Sequence, residues 1–521
     1  MSPERQRPPV QSGWQELLFI AAVGACHTLA YVDTQAWWLQ PAALALLIWR
    51  VKRATPRRAA ALGLFFGTAW LCAGTWWLFI SLHRYGGLPA WMAVVAILAL
   101  NALLSLYLAA AMTAFVRWQS RRPALDSALF AAVFLLAELA RGVIFTCFTW
   151  VAAGYAHVDS PLARLAPFVG SYGMGAAAAG LTAWVTLGAL AGGPRRWRPA
   201  LFTAAGVLLL WLSPTIDFSR PTGKLNVVLL QGNVPQNEKF DPANQGAAID
   251  WHVRELLAAR GADNDLVIAP ETALVLLPSE MPPGFWESLQ QAFSQGRTHA
   301  LTGVPMGDAS AGYTNSAVGL VPGHRVGEPV YRYDKHHLVP FGEFVPAGFR
   351  WFTSMMNIPL GDFNRGPLRA PSLLVAGERV APNICYEDLF GEELAARFTD
   401  SASAPTILAN ISNIGWFGDT IAIDQHLQIS RMRSLELQRP MLRATNTGAT
   451  VAIDHRGRVT RAATPYRRVV LKATVEGRDG LTPFAWWAGH AGLWPLGLSA
   501  VAVVALATRR SRRAVAPPPA P

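Results

Sequence analysis

The chain of 521 residues is short of charge, short of acids in particular, and short of cysteine. Asp, Glu, Lys and Arg make up only 15% of it, against 52% hydrophobic residues that include 20 Trp, which excludes an ordinary soluble protein. Acids number 33 against 45 Lys and Arg, a formal charge of +12 with a pI near 9.9. Such an excess suggests a nucleic-acid partner when the basic residues line one soluble face. Here they fall between apolar runs, so nucleic acid is discounted as a partner. Of the four cysteines, Cys26, Cys72 and Cys147 lie inside apolar runs, where a small polarizable side chain is ordinary packing. Cys385 alone stands in the polar part of the chain, without a partner for a disulfide.

Residues 17–31, 37–49, 59–82, 89–116, 128–150, 165–191 and 199–212 read as membrane helices, against roughly 20 residues needed per span, the first two being short. An eighth run, 486–507, follows a long polar interval. Every second joint is basic. Arg50, Lys52, Arg53, Arg57 and Arg58 follow the second run, Arg117, Arg121 and Arg122 the fourth, Arg195, Arg196 and Arg198 the sixth, and Arg509, Arg510, Arg512 and Arg513 the eighth. The alternate joints hold little more than Arg84 and Arg164, so the positive-inside rule makes the basic joints and both termini cytoplasmic. Seven crossings then carry the polar interval to the outer side. Arg5 and Arg7 before the first run also suit a signal peptide, but with no convincing cleavage site the run reads as a retained anchor. The expected division is a membrane region of about seven helices (1–222), an outer domain (223–482), and a last helix with a basic tail (483–521).

Within the helices, Gly63 and Gly67 form a GxxxG that permits close packing. Glu138 and Arg141 are three apart, share a helical face, and are expected to pair there. The outer interval alternates β-rich runs (225–231, 265–270, 300–305, 316–321, 379–384, 406–412 and 450–455) with stretches of helical spacing (243–260, 283–294, 389–398 and 423–437). This mixture predicts an α/β layered domain with a largely buried sheet.

Three strand ends carry reactive groups: Glu271 closes VIAPET, Lys335 and Glu343 sit in YRYDKHHLVPFGEF, and Cys385 lies between RVAPNI and the helical stretch 389–398. Acyl transfer through a thiol needs a base, a cation or N–H donor for the oxyanion, and a nucleophile on a sharp turn. Glu271, Lys335 and Cys385 supply one of each. A helix N-terminus and a nearby lysine are expected to favour the thiolate of Cys385. Taken singly, each residue also suits a solvated loop or an inert buried thiol.

Glu, Lys and Cys in this order resemble the nitrilase (carbon-nitrogen hydrolase) superfamily, whose fold is an αββα sandwich. The longer words APETA, RYDKHHLVPFGEFVP, ICYED, NISNIGWFGD and RMRSLELQRPMLRATNTG resemble the apolipoprotein N-acyltransferase family, over nearly the whole chain. That resemblance implies a thioester on Cys385, formed from a phospholipid acyl donor, with Glu271 as base and Lys335 at the oxyanion. The acyl chain then passes to the α-amino group of a diacylglyceryl-modified cysteine at the N-terminus of an apolipoprotein. It also implies a supporting role for Glu343, site-shaping roles for Tyr386 and Glu387, and pocket positions for Asn315, Asn413 and Trp416. Phe240 stands where many relatives have tryptophan, so any indole hydrogen bond is lost there. Neither cofactor nor metal is expected, and the protein is expected to be a monomer of the bacterial inner membrane, surrounded by membrane lipids, with its catalytic domain in the periplasm.

Residues 345–363, rich in Phe, Trp and Met, and the stretch LLPSEMPPGFW (276–286) are candidates for apolar arms that rest on the membrane. Two rival readings use the same residues differently. A membrane-tethered amidase or nitrilase would employ the same triad with water as second nucleophile, although one helix would suffice as its anchor. A transporter or scaffold with a decayed enzyme domain sits poorly with an intact Glu271, Lys335 and Cys385.

Overall fold

The computed structural model describes residues 13–120, 122–144, 148–261, 263–353 and 362–515; Arg121, Cys147 and part of the first candidate arm (354–361) lie outside them. Among the described residues, seven apolar helices of more than ten residues precede the first strand: α1 (Gly13–His27), α2 (Leu39–Val51), α3 (Pro56–Thr75), α4 (Ala90–Trp118), α5 (Pro123–Val143), α6 (Ala166–Ala191) and α7 (Arg198–Leu212). Proline opens α3, α5 and α7, where its missing N–H leaves no bond unmade. Gly63 and Gly67 let α3 and α4 touch: a Cβ at Gly63 would lie 2.9 Å from the Leu108 carbonyl oxygen, and one at Gly67 2.8 Å from Ser105 Oγ. Glu138 and Arg141 pair at 2.7 Å, and the carboxylate also accepts the Ala153 amide at 2.7 Å.

Among the described residues, four helical stretches are long and apolar enough to cross a membrane, namely Gly13–Val32, Ala90–Trp118, Pro123–Val143 and Pro161–Ala191. A fifth arises if Pro483–Ala491 and Trp494–Arg510, bent by 87° at Gly492, count as one span. α2 and α7 are apolar but only 13 and 15 residues long. The expectation of about eight membrane helices goes beyond this number.

The polar interval forms two six-stranded sheets. Its strands are β1 (Ser219–Gln231), β2 (Leu266–Ile268), β3 (His299–Asp308), β4 (Gly312–Leu320), β5 (Tyr331–Asp334), β6 (Leu373–Val375), β7 (Glu378–Ile384), β8 (Ile407–Ser412), β9 (Met441–Thr445), β10 (Val451–Ile453), β11 (Val459–Ala462) and β12 (Val469–Gly480). The sheet orders are β12-β1-β2-β3-β4-β5 and β11-β10-β9-β8-β7-β6. In each, three strands run parallel (β1-β2-β3 and β7-β8-β9) and the flanking pairs are antiparallel.

Strand alternation distributes the layers. Val227 and Leu229 of β1 face Ile384, Ile407, Ala409 and Ile411 of the second sheet, while Val228 and Leu230 point outward against α8 (Pro242–Ala258) and α9 (Phe285–Ser294). On the far side, Ala381, Leu408 and Met441 pack against α10 (Ala422–Leu437) and α11 (Pro483–Ala491). Each such Leu, Ile or Val contributes about 1.5–3 kcal/mol by leaving water. The expected αββα sandwich is thus present. One expected helix is broken: 389–398 folds as a 3₁₀ turn (Cys385–Leu389), a short helix (Gly391–Ala395) and a second turn (Ala396–Phe398).

α10 joins the sandwich to the apolar helices. Ile423, Ile429 and Met432 are buried in one core with Leu71 and Trp77. Gln425 Oε1 accepts the indole N–H groups of Trp77 (3.1 Å) and Trp150 (2.8 Å), while its Nε2 donates to the Gly74 carbonyl at 3.0 Å. After α11, the chain ends in α12 (Trp494–Val515).

Candidate active site

The reactive groups sit at strand ends, where the ladder stops and the backbone turns. Cys385 directly follows β7 at φ +52°, a left-handed value unusual for a residue with a Cβ, so the nucleophile candidate stands on a sharp turn. Its carbonyl accepts from Asn410 Nδ2 and His426 Nε2, both at 3.2 Å. Asp388 secures His426 in turn: its Oδ1 accepts from His426 Nε2 at 2.9 Å and its Oδ2 from Arg443 at 3.1 Å. Burial opposes ionisation of Asp388, but His426, Arg443 and the Ser430 hydroxyl outweigh it and hold the carboxyl below the usual range.

Glu387 fastens this turn to the loop that carries Lys335. Its carboxylate accepts from the Ile384 amide (2.6 Å), the Tyr333 hydroxyl (2.8 and 2.9 Å) and the amides of His336 (2.7 Å) and His337 (3.1 Å). Tyr386 is buried, with its ring 5.4 Å from Phe390 and 5.8 Å from His337.

Glu271 after β2 and Lys335 after β5 meet in a buried cluster with Glu343 and Asn315. Lys335 Nζ lies 2.9 Å from Glu343 Oε1 and 3.3 Å from Glu271 Oε1. Asn315 Nδ2 bridges the same two oxygens, at 2.7 Å to Glu343 and 2.8 Å to Glu271. The outer oxygens are held by main chain: Val339 N donates to Glu343 Oε2 and Asn413 N to Glu271 Oε2, both at 2.8 Å. Burial would lower the Lys335 ammonium, but the Glu343 and Glu271 carboxylates raise it above its ordinary value, so it stays charged at 1% exposure. Burial would raise Glu271, yet Lys335, Asn315 and Lys239 together hold it below the carboxylate range.

The thiol departs from expectation. Burial and the neighbouring Glu271 carboxylate push Cys385 up to about 12, against the opposing pull of Lys335 and a Ser412 contact. The following turn has only five residues, too short to supply a helix dipole, and Lys335 is already occupied by two carboxylates. Glu271 is the carboxylate with the larger electrostatic effect on the thiol, and Asp388 adds a smaller one of the same sign.

The remaining candidates lie beside this cluster. Asn413 donates through Nδ2 to Gln236 Oε1 at 2.9 Å and accepts from Asn446 Nδ2 at 3.1 Å. Trp416 lies between Phe240 (centroids 6.2 Å, stacked) and Tyr85 from the segment after α3 (5.7 Å, edge-on), and Phe240 is 38% exposed. Of the two apolar arms, 276–286 buries Met281 and the α9 residue Trp286 in the core outside the first sheet, while Ser279, Glu280, Pro282 and Pro283 are exposed. In the other, Phe349 and Trp351 are exposed. Sequence reasoning missed Lys239. It is 3% exposed, its Nζ donates to the Glu271 carbonyl at 2.9 Å, and burial lowers it to about 8 against the pull of Glu271 and Cys385. The one available signal was its place directly before Phe240.

This sandwich falls in the class of carbon-nitrogen hydrolases: residues 227–479 match the Carbon-nitrogen hydrolase family, and residues 23–185 match the Apolipoprotein N-acyltransferase N-terminal domain. The chain is 52% identical over 481 residues to the Apolipoprotein N-acyltransferase of Verminephrobacter eiseniae (strain EF01-2), covering 88% of this chain and 89% of that one. It is 45% identical to the protein of that name from Ralstonia nicotianae (95% and 93% covered) and 42% identical to that from Bordetella bronchiseptica (98% and 99%). The chain belongs to the apolipoprotein N-acyltransferase family.

Proposed function

We propose that the protein moves an acyl chain from a membrane phospholipid, through a thioester on Cys385, to the free α-amino group of the diacylglyceryl-cysteine that begins an apolipoprotein. The observation that carries this reading is the buried cluster of Glu271, Lys335, Glu343 and Asn315 acting on a thiol at a strained strand end. Glu271 takes the thiol proton as sulfur attacks the ester carbonyl, and the tetrahedral oxyanion forms beside Lys335. Glu271 returns the proton to the departing lysophospholipid. The amine then attacks the thioester, sulfur leaves, and an amide remains. Glu343 and Asn315 position Lys335 and Glu271, Glu387 and Tyr386 hold the turn, and Asn413, Trp416 and Phe240 shape the approach of the lipid.

The basic joints support a reading in which both termini are cytoplasmic and the sandwich, about residues 223–482, lies in the periplasm at the inner membrane. The protein acts as a monomer. A direct test incubates the full chain in phospholipid nanodiscs with a diacylated lipopeptide whose α-amine is free. The expected product is the lipopeptide heavier by one acyl chain, amide-linked at that amine. Free fatty acid with unmodified lipopeptide would make the protein a hydrolase instead.

A further inference from the structure

An amine poses a proton problem that the triad alone leaves unsolved. The acceptor arrives largely as an ammonium, since a free α-amino group titrates near ~8. It must lose one proton to become a nucleophile and a second as the tetrahedral adduct becomes an amide. Glu271 removes one and delivers it to the departing sulfur. The other needs a second acceptor.

Lys239 stands where that acceptor is needed. It ends the short turn Gln236–Lys239, which grips Glu271 from two sides. Lys239 Nζ holds the Glu271 carbonyl, and Gln236 Oε1 holds Asn413 Nδ2, whose residue donates its main-chain N–H to the Glu271 carboxylate. Both side chains have unused capacity. Nζ makes one hydrogen bond among the described residues, where an ammonium has three donors, and the buried Gln236 Nε2 makes none. The next residue, Phe240, is partly exposed and stacked on Trp416, with its ring 6.0 Å from Lys239 Nζ, while Glu271 and Cys385 both act electrostatically on that ammonium.

We propose that Lys239 is the general base for the acceptor amine, taking from the incoming ammonium the proton that Glu271 does not. This rests on the N-acyl transfer proposed above. The ammonium and neutral Lys239 become a free amine and a lysine ammonium; the amine attacks the thioester carbon; the C–S bond breaks; Glu271 carries the second proton to sulfur. Lys239 later returns its proton to solvent. Burial has brought Lys239 to about 8, matched to the α-amine, so the transfer runs nearly level in free energy. The groups acting on it electrostatically are Glu271 after β2 and Cys385 after β7, and it acts in turn on His252 of α8, which burial keeps neutral down to about 4.

The test separates the half-reactions in the full-length protein. Acyl-enzyme is formed from phospholipid and then discharged either by a lipopeptide amine or by hydroxylamine, which is uncharged at neutral pH and needs no deprotonation. In Lys239→Met, discharge to the lipopeptide at pH 7 should fall about tenfold further than acylation does, the limit set by the roughly one-tenth of the amine already free at that pH, and recover as pH rises, while discharge to hydroxylamine should fall no further than acylation. Lys239→Arg keeps the charge and the carbonyl contact but cannot give up its proton, so it should show the same selective loss. Rescue by arginine, or equal losses with both amines, would overturn the proposal and leave Lys239 as a brace for Glu271. Failure of the parent protein to form any acyl-enzyme would instead remove the underlying transfer reaction.

Discussion

Glu343→Gln isolates the electrostatic logic of the cluster. Glutamine keeps the shape and an oxygen for Val339 N, and removes one charge 2.9 Å from Lys335 Nζ. At an effective dielectric of 20 that attraction is about 6 kcal/mol in gross terms, and breaking one side of a buried pair costs about 3 kcal/mol at the low end. Lys335 then has Glu271 as its sole carboxylate, now 3.3 Å away. The ammonium moves toward it, which makes Glu271 a weaker base and draws the cation from the oxyanion. If about 3 kcal/mol is felt at the transition state, acylation of Cys385 slows about 100-fold. Initial rates of acyl-enzyme formation, read by intact mass, test this. A folded Glu343→Gln protein that acylates within about threefold of the parent would refute the reasoning.

Gly303→Ala reports on how Glu271 is placed: a Cβ there would lie 2.3 Å from Thr272 N and 2.7 Å from Glu271 Cα, so acylation should fall by at least about 100-fold while lipid binding in a flotation assay persists. Gln425→Leu strips the buried Trp150 indole N–H of its acceptor, at about 1–3 kcal/mol, and leaves the Trp77 N–H only the Gly74 carbonyl, so it should lower the thermal midpoint in detergent; an unchanged midpoint would mean that α10 is held to the apolar helices by packing alone. Because Glu271 is held below the carboxylate range, its base form persists as pH falls past ~4.3, while the stability it contributes is full above that pH and is lost progressively down to the lower folded value. The acid limb of acylation should lie below that pH, and a limb near pH 6.5 would contradict the assignment.

The sequence showed the layers well because β1, β7 and β8 are apolar enough to declare themselves, and the buried faces follow from alternation. β9 was hidden in a motif word: Arg443 at its centre interrupts the apolar pattern, yet it is fully buried against Asp388. The break in 389–398 is equally tertiary, since Tyr155 takes up the Leu389 carbonyl that a continuous helix would have used. Glu271, Lys335 and Cys385 were legible as strand-end residues. Their electrostatics were not, because the state of Cys385 depends on burial and on two carboxylates that compete for one ammonium. Lys239 escaped for the same reason: nothing local separates a buried lysine from a solvated one.

The most direct measurement is the intact mass of the purified protein after exposure to phospholipid, followed by peptide mapping. The account predicts one added acyl chain on Cys385, absent in Cys385→Ala and in Glu271→Gln, and discharged on addition of lipopeptide amine. An acyl group carried elsewhere in the chain, or transfer that proceeds in Cys385→Ala, would contradict it.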